Sequence, residues 1–101
     1  MSVYEEAIEN KAELVKVRRH LHQYPEVSMK EFQTAEYIRK YLDEHGISWE
    51  KAGETGTVAL VRGRCEDCVI GLRGDIDALE MEELNKSSYC SKNPGLMHAC
   101  G

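Results

Sequence analysis

Cys68-Val69-Ile70-Gly71-Leu72-Arg73-Gly74-Asp75-Ile76-Asp77-Ala78-Leu79 is the stretch that decides the fold. Its first five residues form a continuous apolar run, the pattern of a strand covered on both faces rather than one half-exposed to water. That strand runs straight into two aspartates spaced two apart. On an extended chain, positions i and i+2 point to the same side. In open α/β sheets, ligands bind at the carboxyl ends of strands. Asp75 and Asp77 are therefore candidates to bind a divalent cation, to orient one of its ligands, or to hold a loop. They can equally be read as caps of the strand end that accept hydrogen bonds from turn N–H groups. Arg73-Gly74-Asp75 spells an adhesion tripeptide, but it ends a buried strand instead of sitting at a loop tip.

Upstream, Thr57-Val58-Ala59-Leu60-Val61 is β-branched and apolar, Gly53 and Gly56 punctuate the gap before it, and Ile47 to Glu50 makes a short strand. Before these strands the period changes to helical. Ser28-Met29-Lys30-Glu31 fits a capping box, and Phe32, Ala35, Ile38 and Leu42 follow at helical spacing. Gly46 is the expected stop, since glycine takes the left-handed cap conformation without strain. A first helix is expected from about Val3 to Gln23, with Ile8, Ala12 and Val15 on one side and Leu14, Val17 and Leu21 widening the stripe. Pro25 ends it. His20 and His22, near its C-terminus, read as surface or capping residues. Two helices followed by three strands, one fully buried, give a layered α/β fold.

Downstream of the aspartates, Glu80 to Gly101 is polar and irregular, with a strong turn at Asn93-Pro94-Gly95. Met97-His98-Ala99-Cys100-Gly101 places an imidazole and a thiol close together, and both are good ligands for borderline-soft metals. They could form half a metal site, or be a loop histidine and a buried thiol. Cys65-Glu66-Asp67-Cys68 has the spacing of a metal knuckle or redox pair. A structural zinc would need a second matching pair, and Cys90 and Cys100 lie too far apart to supply it as a hairpin knuckle. A redox pair normally opens a helix, whereas this one opens a strand, so a plain turn is expected here.

The 101 residues make one small domain or part of a larger one. Nothing after Leu72 reads as a good helix to cover the far face of the apolar strand, and the chain stops on a glycine after a turn region. Both points lead us to expect a truncated domain. The net charge is 13 − 18 = −5, without a basic run, which argues against nucleic acid and anionic membranes as partners. No stretch approaches the roughly 20 apolar residues of a membrane span. The opening residues, Met1-Ser2-Val3-Tyr4-Glu5-Glu6, are acidic and unlike a secretory signal, so a cytoplasmic protein with reduced thiols is expected.

Four segments together resemble the bacterial N-acyl-amino-acid amidohydrolases, the group that also holds hippurate hydrolases and the plant enzymes that cleave auxin–amino-acid conjugates. Arg18-Arg19-His20-Leu21-His22-Gln23-Tyr24-Pro25-Glu26-Val27-Ser28 is similar to the family's opening helix and turn. Thr55-Gly56-Thr57-Val58 resembles its first hairpin, and Leu72 to Leu79 its aspartate motif. Ser91-Lys92-Asn93-Pro94-Gly95-Leu96-Met97-His98-Ala99-Cys100-Gly101 resembles the lead-in of its metal motif, which normally continues with His-Asp. The resemblance runs from about residue 10 to the end.

What the resemblance implies is specific. The fold would be a layered α/β/α zinc-peptidase-like catalytic domain, of which residues 1–101 form the N-terminal part, without the smaller domain that helps dimerisation. Cys100 would be a metal ligand. Asp77 would match the aspartate that, in sister branches, orients a metal-bound histidine two residues earlier; that earlier position is Asp75 here, a candidate ligand. The remaining histidine ligands and the general-base glutamate would lie beyond Gly101. The cofactor would be one or two divalent ions, Zn, Mn, Co or Ni, and the substrate an N-acyl amino acid. The full-length protein would be a homo-oligomer. The chemistry implied is amide hydrolysis in which metal lowers the pKa of a bound water and a glutamate moves its proton, and the chain by itself would be inactive. Glu80-Met81 departs from the family's Pro followed by an aliphatic residue, which loosens the exit from the strand. Two other readings stand beside this one: a structural zinc module built on Cys65, Cys68, Cys90 and Cys100, and a non-catalytic interaction domain.

Overall fold

A computed structural model describes residues 1–100. They form two compact units: Met1–Pro25 together with the chain from Leu79 onward, and Glu26–Ala78.

The first unit opens with α1 (Val3–Glu9) and α2 (Lys11–Gln23). The single helix expected over Val3–Gln23 is thus broken at Asn10, which serves as C-cap of one helix and N-cap of the next. Its side chain amide donates to Glu6 O at 3.0 Å. Asparagine competes for backbone groups in this way, which disfavours it within helices and suits it to their ends. A capping box forms at Ser2, where Glu5 N donates to Ser2 Oγ at 3.2 Å and Ser2 N to Glu5 Oε2 at 2.8 Å. The apolar stripe is only partly used: Val15, Val17 and Leu21 are half-buried, while Ile8, Ala12 and Leu14 are exposed. Among the described residues, no helix is long and apolar enough to cross a membrane.

The rest of this unit is a loop whose ends meet. Leu79 N donates to Met97 O and Met97 N to Leu79 O, both at 3.0 Å, forming an antiparallel bridge. The returning limb also bonds to the end of α2: Lys92 N donates to Gln23 O and Asn93 Nδ2 to Pro25 O, each at 2.8 Å. Pro25 is fully buried there.

The second unit holds α3 (Phe32–Glu44) and a hairpin of β1 (Ser48–Ala52) and β2 (Gly56–Leu60). The strands pair antiparallel from Ser48↔Leu60 to Ala52↔Gly56. The helix starts later than the capping box at Ser28 predicts. Met29 takes a positive φ of 68°, Glu31 is the N-cap, and no side chain of the cap itself bonds the helix. Glu26 does this work from outside, accepting from Gln33 N at 3.2 Å and from Thr34 N and Thr34 Oγ1 at 2.6 Å each. A carboxylate at a helix N-terminus satisfies orphan donors and complements the helix dipole. At the other end Gly46 has φ +67°, as expected.

Arg39 ties α3 to the hairpin. Its guanidinium donates to Thr57 Oγ1 at 3.0 Å and Gly56 O at 2.9 Å, and lies 5.1 Å from the Trp49 ring centroid. Trp49 Nε1 in turn donates to Asp43 Oδ1 at 2.8 Å. Beneath the helix start, buried Thr55 donates to buried Glu31 at 3.3 Å. The apolar core is small: Ala35 and Ala78 are the buried hydrophobic side chains of this unit.

The third strand expected at Cys68–Leu72 is absent. Val69, Ile70 and Leu72 are 83%, 85% and 97% exposed, and residues 68–77 carry no regular secondary structure. A strand buried on both faces needs neighbours to pair with and helices to cover it. Neither lies against this segment among the described residues. The α/β fold class holds; the fully covered strand does not.

Candidate metal site

The aspartate motif is fixed at one end. Ala78 is buried, its N–H donates to Glu26 O at 2.8 Å, and Val27 and Ala78 form an isolated parallel bridge. Asp77, immediately before this anchor, is half-buried. Asp75 is exposed and carries an ion pair with Arg73, Nη2 to Oδ1 at 2.6 Å. Both side chains of that pair are solvated, so it contributes at most about 1 kcal/mol and leaves Asp75 free to change partner.

The cysteine motif belongs to the other unit. A turn precedes it, with Leu96 N donating to Asn93 O at 3.1 Å and Gly95 at φ +81°. The Leu79–Met97 bridge then fixes the chain just before His98. His98 is half-buried, and Cys100 is exposed with a free thiol, not the buried thiol of the alternative reading. Gly101, the last residue of the motif, lies outside the described residues.

Cys65 and Cys68 are exposed and free. Cys90 is half-buried and donates to Asn85 O at 3.1 Å. Among the described residues, no three His, Cys, Asp or Glu side chains stand where they could hold a metal ion. The donor types suit a borderline divalent ion, but the set is not assembled among the described residues.

Spacing alone did not single out Glu83. Its side chain is almost wholly buried, and His22 Nε2 lies 3.1 Å from each of its carboxylate oxygens. Ser91 N donates to Glu83 Oε1 at 2.7 Å and Asn85 Nδ2 to Oε2 at 3.3 Å. The Ser91 N–H and then the His22 ring hold this carboxyl below the usual glutamate range, against burial, which pushes it up. His22 is therefore a paired, half-buried group and not the surface or capping residue expected at a helix end. The adjacent Glu82 accepts from Gly95 N at 2.7 Å. The sequence signal for both was there as two consecutive acids in a polar loop, but nothing local says which of them turn inward.

Comparison with known proteins gives this arrangement a context. A Bacillus subtilis protein described as a dinuclear metal-binding peptidase of the M20 family superposes with a TM-score of 0.82 at 40% identity, over 88% of this chain and 26% of that one. Over the residues it spans, this chain is similar in fold and sequence to that M20-family peptidase. A candidate aminohydrolase from methicillin-resistant Staphylococcus aureus superposes with a TM-score of 0.88 at 33% identity, over 96% of this chain and 26% of that one. In sequence, the N-acetyl-L-cysteine deacetylase of Bacillus subtilis is 49% identical over 90 residues, covering 88% of this chain and 22% of the deacetylase. The chain thus spans about a quarter of the length of these relatives. No family model matches it.

Proposed function

We propose that this chain carries the first metal-site segments of a metal-dependent hydrolase that cleaves the amide bond of N-acyl amino acids, as the aminoacylases and hippurate hydrolases do. The observation that carries the reading is that the chain holds both an anchored aspartate motif and, in its other unit, a free, exposed thiol after a pinned loop. The likeness to a deacetylase and to a dinuclear metal-binding peptidase supports it. In this reading Cys100 is a metal ligand, Asp77 orients a ligand, and Asp75 is a ligand or a partner of one. A bound divalent ion, one or two of Zn, Mn, Co or Ni, would polarise the amide carbonyl and acidify water. A cytoplasmic setting is part of the proposal, with the thiols reduced. The partners proposed are a small N-acyl amino acid and, for a longer protein, further copies of itself. Nucleic acid and membrane are not among them.

The test is made in a longer protein that contains this segment. Cys100→Ala should lower metal content and turnover together. Asp77→Asn keeps the shape and removes the charge, so the protein should fold and lose about 10–100-fold in metal affinity or activity. Full metal content with near-normal turnover in Cys100→Ala would remove Cys100 from the site and shift the ligand role to Asp75 and Asp77. For the 101-residue chain alone, no hydrolysis of hippurate or N-acetyl amino acids above a metal blank is expected, since three ligands do not converge among the described residues.

A further inference from the structure

We propose that Glu82 and Glu83 are the positioning residues of the cysteine motif, acting through the loop that delivers it. Between Leu79 and Met97 the outgoing and returning limbs are joined at three levels. The Leu79–Met97 bridge closes the base, Glu82 holds Gly95 N, and Glu83 holds Ser91 N. The two upper levels are charge-assisted bonds from consecutive carboxylates to backbone N–H groups at 2.7 Å, the short, strong kind.

Glu83 also reaches outside the loop. Its second function is to hold His22 on α2, and the residues next to Ser91 bond the end of the same helix through Lys92 N to Gln23 O and Asn93 Nδ2 to Pro25 O. One carboxylate therefore fixes the returning limb both to its own outgoing limb and to a helix. Tyr89 completes the surround, edge-on to His22 at 6.1 Å with the Arg19 guanidinium 4.4 Å from its ring centroid. This part of the molecule has little apolar burial beyond Pro25. In such a loop, hydrogen bonds and not core packing must define where the chain beyond Met97 starts. Removing Glu83 leaves a half-buried Ser91 N–H and the His22 ring without their acceptor, and that is more costly than the net value of the bonds.

Only the importance attached to the motif rests on the proposed function. The clamp itself can be read without metal or substrate. The experiment is amide hydrogen exchange of the 101-residue chain by NMR, comparing wild type with Glu83→Ala, Glu83→Gln, Glu82→Ala and, as a control, Glu80→Ala, which alters an exposed acid of the same loop. Glu83→Ala is expected to speed exchange at Ser91 by at least about tenfold, with the increase spreading to Leu79 and Met97. Glu83→Gln, which keeps an acceptor oxygen, should restore much of the Ser91 protection. Glu82→Ala should expose Gly95 and Met97, and Glu80→Ala should change none of these amides. Unchanged Ser91 exchange in Glu83→Ala overturns the proposal. So does a Ser91 increase that leaves the Leu79–Met97 bridge as protected as before, because the carboxylate would then hold its own bond without positioning the motif. If Glu83→Ala fails to fold, Glu83→Gln and Glu82→Ala read the same amides. Because no activity is measured, this result and the Cys100 result in a longer protein can fail independently.

Discussion

The Glu26 carbonyl accepts the Ala78 N–H at 2.8 Å, while the Glu26 carboxylate caps α3 through Gln33 and Thr34. One residue thus holds a helix start with its side chain and the end of the aspartate motif with its backbone. The two roles separate on mutation. Glu26→Ala removes the cap and keeps the carbonyl, so α3 should lose about 1–2 kcal/mol, in the range of lost N-caps. The Ala78 amide should stay protected. Urea unfolding followed by helical circular dichroism gives the first quantity and amide exchange at Ala78 the second. A stability change within about 0.5 kcal/mol, the ordinary range of surface substitutions, would show that the Glu26 cap is not used.

Gly56 opens β2 opposite Ala52, where a Cβ would press into the Ala52 carbonyl oxygen and lie 3.3 Å from both the Ala52 carbonyl carbon and Cβ. Backbone cannot move aside as a side-chain tip can. Its own carbonyl also accepts from Arg39. Gly56→Ala should therefore cost about 1–3 kcal/mol, as overpacking does, and loosen the Arg39 contact. Gly63→Ala, with open space around the position, is the matched control. Equal stability of the two variants, measured by thermal unfolding, would refute the argument.

These local features were legible to different degrees. The helix over Phe32–Glu44, its glycine stop and the two strands that follow it were legible from apolar pattern and turn residues, because each is decided by neighbours in sequence. The start of α3 was misplaced because Ser28 and Glu31 have capping-box spacing, yet Glu26 supplies the cap from outside that pattern. The real box, at Ser2 and Glu5, fits the same spacing rule at the very start of the chain. The apolar run at Cys68–Leu72 was read as covered, but hydrophobicity states only what a segment needs, and cover comes from other elements. Of the candidate site, the aspartates and Cys100 were visible as motifs. The pairing of His22 with Glu83 was not, because it joins residues far apart in sequence and depends on how the loop closes.

Cys65 and Cys68 bear on the structural-zinc reading. Both are exposed and free, and no cluster of ligands surrounds them among the described residues. Changing both to Ser should leave stability within about 0.5 kcal/mol, as for surface positions, and leave metal content unaltered in a longer protein that contains the segment. Loss of one equivalent of zinc on that double change, measured by elemental analysis, would favour the zinc module over the hydrolase site.

The last prediction follows from the lowered pKa of Glu83. Its folded-state value lies below the unfolded value of about 4.3, chiefly because the Ser91 N–H and then the His22 ring favour the charged form. A carboxyl depressed in the folded state binds fewer protons there than in the unfolded chain, so stability rises with pH across the window between the two values. The contribution is complete above about pH 4.3 and disappears as pH falls through the folded-state value. Glu83→Gln keeps the size of the side chain and cannot ionise. At pH 7 it should be less stable than wild type, and the gap should narrow as the pH is taken through 4 to 3. Urea unfolding of both chains at matched ionic strength checks this. A gap that is the same at pH 3 as at pH 7 would mean that the charge on Glu83 does not hold the loop to His22 and Ser91, and that shape alone keeps the carboxylate in place.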